Sequence, residues 1–148
     1  MTHDELLADY PARISIPIQW GDMDAFSHVN NVVHIRWLES SRIEYLEKAG
    51  MRQLMMAHGL GPILAAINCS YKRQLVFPGS VIIGARVSKL GRSSLTVAHR
   101  IINEQTGEIA AEGESVIVIF DFENQRPVRM PADVKQAVAA FQGEVGDA

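Results

Sequence analysis

One long helical pattern with strand patterns almost everywhere else constrains this chain most. Residues 29–50, V-N-N-V-V-H-I-R-W-L-E-S-S-R-I-E-Y-L-E-K-A-G, hold no internal glycine or proline and stop at Gly50, a residue suited to the position after a helix end. The stretch predicts a helix of about five turns at 3.6 residues per turn. On a helical wheel Val29, Val32, Ile35, Ile43 and Leu46 share one sector, Val33 and Trp37 widen it, and Leu38 and Tyr45 take much of the rest. A helix so apolar around its circumference is expected to be wrapped by sheet. Arg36 and Glu39 fall inside the main sector, so the Glu39 carboxylate is expected to be paired, to face a cavity or to do chemistry.

Strands are predicted on both sides of this helix. In residues 14–20, Ile14, Ile16, Ile18 and Trp20 alternate with Ser15, Pro17 and Gln19, which reads as a half-buried strand. Pro17 has no N–H for a ladder, which places that strand at a sheet edge or turns that position outward. Residues 63–71, 81–90, 95–103 and 108–122 are rich in Val and Ile and are parted by P-G-S, G-R-S and Q-T-G turns. Residues 131–141 add a short helix that opens at Pro131, and the last residues, G-E-V-G-D-A, are expected to fray. One crossover helix cannot build a doubly wound parallel sheet. The order predicts an α+β fold with a five-stranded antiparallel sheet curled around one central helix, as one domain over residues 1–148.

Composition closes several functional classes. With 21% charged residues, 47% hydrophobic residues and a formal net charge of −3, the chain resembles an ordinary soluble protein and calls for no nucleic acid. Its acidic start lacks the pattern of a secretory signal, and no apolar run approaches the roughly 20 residues of a membrane span, so a cytoplasmic location is expected. The one cysteine, Cys69, reads as a small buried hydrophobe rather than a catalytic thiol.

The chemistry concentrates in W-G-D-M-D-A-F-S-H-V-N-N, residues 20–31, which joins the first strand to the helix. Free N–H groups at the helix start, around Asn30 and Asn31, carry partial positive charge and suit an oxyanion. Asp22 and Asp24 lie just upstream, and a carboxylate beside such a site can attack an acyl carbon or deprotonate water. Residues two apart in an extended segment face the same side, so one aspartate is expected to order the turn while the other faces substrate. The same loop also reads as a polar connection that caps the helix, with His28 bonded to backbone. A metal site at Asp22, Asp24 and His28 is disfavoured for want of a recognisable ligand spacing.

The segment G-D-M-D-A-F-S-H-V-N-N-V-V-H-I-R-W-L-E-S-S-R, the strand order and K-L-G-R-S-S-L-T-V resemble the hotdog-fold acyl-CoA thioesterases of the 4-hydroxybenzoyl-CoA thioesterase type, over about residues 14–122. The resemblance implies that Asp24 is the catalytic carboxylate, as nucleophile or general base. It implies that the N–H near Asn31 polarises the thioester carbonyl, with His28 close by. In other members of the wider fold a carboxylate of the central helix does this work, which marks Glu39 as second candidate. Coenzyme A phosphates are expected at Lys89, Arg92 and Ser93, with Lys72 and Arg73 as a weaker cluster. Where family members often carry tyrosine, this chain has His34.

No cofactor is implied beyond the coenzyme A of the substrate. A homodimer or homotetramer is expected, with Asp24 of one chain near residues 63–71 of the other. Trp20, Phe26, Met51, Leu54, Met55 and Met56 are candidates for the acyl pocket, and equally residues of a kind that fills cores. Other readings are a thioesterase for acyl carrier protein, a dehydratase built on His28 and Glu39, and a non-catalytic acyl-CoA binding module.

Overall fold

A computed structural model describes residues 2–145 of the chain. Of the terminal stretch expected to fray, residues 146–148 lie outside the described residues. The alternating segments form an antiparallel sheet in which β1 (Ala12–Ile18) pairs with β3 (Gly79–Leu90), β3 with β4 (Ser94–Asn103), β4 with β5 (Ile109–Asp121), and β5 with β2 (Leu60–Tyr71). The sheet order is thus β1-β3-β4-β5-β2, and a short β6 (Arg126–Pro127) joins the end of β5. Pro17 sits opposite Ser80 on the edge strand β1, where its missing N–H costs no inner ladder bond. Apart from shifts of a few residues at their ends, the five expected strands are present.

The long helix α2 (Asn31–Lys48) runs across the concave face, capped by the Asn30 side chain, which accepts from the Val32 N–H at 3.0 Å. Gly50, at φ 72°, takes the left-handed conformation that turns the chain into α3 (Met51–Ala57). At that end α4 (Ala132–Gln142), with Pro131 at its N-cap, packs Val134 and Val138 against Met51 and Met55. Trp37 and Leu38 meet Val81, Ile83 and Ile101 at the other end. Each large side chain buried here contributes about 1.5–3 kcal/mol of transfer free energy. Gly113 is required beneath α2, because a Cβ there would collide with the Asn68 carbonyl and crowd Leu38. A short α1 (His3–Leu6), not expected from the sequence, leads into Leu7 and Tyr10, which cover Ile102 on the outer face of the sheet.

Three expectations need correction. Trp20 does not continue β1; it opens a 3₁₀ turn, Trp20–Asp22, and is 72% exposed, because the Gln19–Asp22 capping box ends the strand. The wheel sector taken as the interior of α2 is largely its outer face: Val32 is 63% and Ile43 49% exposed, while Val29 and Leu46 alone of that sector are buried. The inner face instead carries His34, Trp37, Leu38, Ser41, Arg42, Tyr45 and Leu46. Glu39 therefore points away from the core and has no need of a buried partner. Its carboxylate lies 4.0 Å from Arg42, one turn along. Of the methionine-rich set, Met51 and Met55 are fully buried core residues and Met56 is exposed, all beyond the C-terminal end of α2 and away from the polar loop.

The inner face holds polar chemistry that sequence reading missed. His99 on β4 is 1% exposed and sits between two hydroxyls, Nδ1 at 3.0 Å from Ser41 and Nε2 at 2.9 Å from Ser115. Arg42 donates to the Ser115 Oγ at 3.3 Å. Burial, with the Arg42 charge beside it, pushes the His99 pKa down to about 3.

Candidate active site

The polar connection folds into two turns that divide the work of its aspartates. Asp22 shapes the chain: its carboxylate accepts from the Gln19 N–H at 2.8 Å and its carbonyl from the Asn30 N–H at 2.9 Å. The Asp24 N–H donates to the His28 carbonyl at 2.9 Å, and the Ser27 N–H returns to the Asp24 carbonyl at 3.1 Å. Ser27 adopts φ 67° to close this turn. The Asp24 side chain stays exposed, with Oδ1 accepting the Phe26 N–H at 2.9 Å and no partner for Oδ2 among the described residues.

The first turn of α2 leaves one donor open. The Asn30 and Val32 N–H groups are taken by Asp22 and by the Asn30 side chain, and the Val33 N–H by the Asn30 carbonyl. The Asn31 N–H meets no protein acceptor among the described residues. Two side chains hold the carbonyls on either side of Asn31. Tyr71 on β2 donates its hydroxyl to the Asn31 oxygen at 3.1 Å, and the His34 Nδ1 lies 3.3 Å from the Asn30 oxygen. The His34 and Tyr71 rings meet edge to face, with centroids 4.9 Å apart. Burial lowers the His34 pKa, partly offset by the bond to Asn30, and burial raises those of Tyr71 and Cys69. Cys69 thus stays a neutral thiol packed beside the core.

Asp24, His28 and Asn31 line one cavity of about 490 Å³, together with Lys72 and Arg73 from the loop after β2. His34 and Tyr71 form part of the same wall, as does Phe26 of the expected acyl set. Glu39 is absent from this lining, so His28 and Glu39 do not converge within one chain as a dehydratase pair would. Lys72 and Arg73 are already engaged, 3.7 Å from Glu112 and 3.3 Å from Glu108. Among the described residues no group of three His, Cys, Asp or Glu side chains is placed to share a metal ion.

The residues of the other expected basic cluster lie apart. Arg92, in the β3–β4 turn, lines a second cavity of about 740 Å³ with Arg129 and Lys135. None of the three forms an ion pair among the described residues. Lys89 lies exposed on β3 and does not line this cavity, and Ser93 contributes its carbonyl to the Ile119 N–H at 2.8 Å. Arg129 and Lys135 escaped the sequence reading although R-P-V-R-M-P, residues 126–131, carried the signal of paired cations after the last long strand.

A curled antiparallel sheet around one long helix is the hotdog architecture, and Asp24 and the N-terminus of α2 share a cavity on it. The chain belongs to the thioesterase-like superfamily, whose match spans residues 18–138. It is 25% identical over 124 residues to the long-chain acyl-CoA thioesterase FadM of Escherichia coli, covering 84% of this chain and 94% of that protein. A thioesterase of Thermus thermophilus, solved with coenzyme A and zinc, superposes with a TM-score of 0.77 at 29% identity, covering 92% of this chain and 98% of that one. The DHNA-CoA thioesterase of Staphylococcus aureus shares the fold, with a TM-score of 0.78 at 21% identity over 93% of this chain and 98% of that one. Among the described residues no helix is long and apolar enough to cross a membrane.

Proposed function

We propose that this protein hydrolyses acyl-CoA thioesters to a free acid and CoA, by the route of the 4-hydroxybenzoyl-CoA type of hotdog thioesterase. The observation that carries the reading is the Asp24 carboxylate on one cavity with the open Asn31 N–H. In it the thioester oxygen lies at the N-terminus of α2, where the Asn31 N–H and the helix dipole stabilise the charge that develops on attack. Asp24 either attacks the acyl carbon, giving a mixed anhydride that water then opens, or takes the proton of the attacking water. CoA leaves as thiol, and the reaction asks for no cofactor.

The CoA phosphates belong in this reading to Arg92, Arg129 and Lys135, rather than to the ion-paired Lys72 and Arg73. Two copies of the chain make the working unit. The edge strand β2 is long, exposed and guarded by proline only at Pro62 near its start, and it invites β2 of a second copy. Val32 and Ile43 add exposed apolar surface on the outer face of α2.

Thiol release measured with Ellman's reagent across short, long and aromatic acyl-CoAs tests the reading. Asp24→Asn is expected to lower kcat by about a hundredfold or more while CoA still binds. Turnover retained in Asp24→Asn overturns the assignment of Asp24, and an acyl-CoA that binds without turnover identifies a binding module instead.

A further inference from the structure

We propose that His34 is a positioning residue for the oxyanion donor, acting through the peptide bond between Asn30 and Asn31. The inference rests on the reading of the Asn31 N–H as the group that receives the thioester oxygen.

The carbonyl and N–H of one peptide unit belong to different residues, so whatever binds the Asn30 oxygen acts on the Asn31 nitrogen. A carbonyl oxygen has only lone pairs to offer, and the His34 Nδ1 at 3.3 Å must therefore carry the proton. This contact places a proton on Nδ1, and burial, which lowers the His34 pKa, favours the neutral ring in which Nε2 is bare. A peptide whose oxygen accepts additional hydrogen bonds becomes a better N–H donor, because each bond polarises the next. The Asn30 oxygen already accepts from the Val33 N–H at 2.9 Å, and His34 adds a side-chain donor on the same atom. The donor at the other end of that peptide is the one left open on the cavity.

Packing holds the imidazole to this task. His34 is 4% exposed, with Trp37 at 5.3 Å and Tyr71 at 4.9 Å between ring centroids. Tyr71 in turn ties the next carbonyl, that of Asn31, to β2 at 3.1 Å. The two peptides flanking Asn31 are thus each held from their oxygen side by a different ring, and a donor whose direction is set before substrate arrives needs no reorganisation during reaction.

Two variants separate the hydrogen bond from mere packing. His34→Asn keeps an amide N–H near the place of Nδ1, whereas His34→Phe keeps the ring and removes the donor. The first readout is the Asn31 amide resonance in ¹H–¹⁵N spectra. It is expected to move in His34→Phe and to stay near its wild-type position in His34→Asn. The second is kinetic: His34→Phe lowers kcat by about tenfold with little change in KM, and His34→Asn recovers most of that loss. An unmoved Asn31 resonance in His34→Phe, or equal kcat in both variants, overturns the inference. Acyl-CoA that binds the wild type without turnover would instead sink the functional reading, while the amide resonance still decides whether His34 polarises this peptide.

Discussion

Within one chain, α2 turns Trp37, Leu38, Ser41 and Tyr45 toward the sheet and Val32, Glu39 and Ile43 away from it. Ser41 falls roughly 180° from Val32 on the wheel, so a serine sits at the middle of the inner face while valine and isoleucine line the outer one. The inner face is closed by specific hydrogen bonds between Ser41, His99, Ser115 and Arg42. No comparable polar set covers the outer face among the described residues. An apolar stripe on a helix thus does not by itself mark the side that faces the core.

The largest effects belong to the inner face. The folded-state pKa of His99, about 3, lies below its unfolded value of 6.5. As pH falls through that window the unfolded chain takes up a proton that the folded one refuses. Stability is therefore full above pH 6.5 and is lost progressively toward pH 3, by an amount on the order of 4 kcal/mol. Urea unfolding followed across that range tests this, and His99→Gln should flatten the slope. If the slope of the variant matches that of wild type, the loss comes from other groups.

At pH 7.5, where the proton plays no part, His99→Leu should still cost about 3 kcal/mol. It strips the Ser41 and Ser115 hydroxyls of their shared partner in a place water does not reach. Combining it with Ser41→Ala should recover part of that loss, since the Ser41 hydroxyl goes with its partner while Ser115 keeps its bond to Arg42.

The outer face predicts the opposite response. Ile43→Asp places a charge on the exposed flank of α2 and is expected to weaken self-association by about 2 kcal/mol, some thirtyfold in the dimer constant. Sedimentation over a concentration series reads this directly. A variant that associates as wild type does would move the dimer contact off this face.

These contrasts also explain what the sequence disclosed. Strand alternation at Ile14, Ile16 and Ile18, the N-terminus of α2 and the D-x-D-x-x-x-H loop were legible because each depends on near neighbours in the chain. The inward side of α2 was not, since apolar Val32 and Ile43 lie on its outer face while polar Ser41 and Arg42 lie on its inner one. The His99 network joins positions 41, 42, 99 and 115, and Arg129 and Lys135 meet Arg92 only because α4 folds back beside the β3–β4 turn. No local pattern links such residues. His34 stood in plain view four residues after the cap, but its partner is a backbone oxygen that sequence does not display.

The smallest expected effect is that of Glu39→Gln, which bears on both faces at once. Glu39 projects from the outer face yet reaches toward Arg42, the outermost member of the inner network, at 4.0 Å with its own side chain 61% exposed. A pair so open to water contributes no more than about 0.5 kcal/mol, so unfolding should barely change. Because Arg42 keeps its bond to Ser115 without Glu39, the acid slope set by His99 should persist as well. Turnover should stay within about twofold of wild type, since the cavity that holds Asp24 excludes Glu39. A hundredfold loss of kcat with stability intact would reverse the assignment. It would mean that the second copy brings the helix carboxylate to the thioester and that the outer face of α2 is itself catalytic surface.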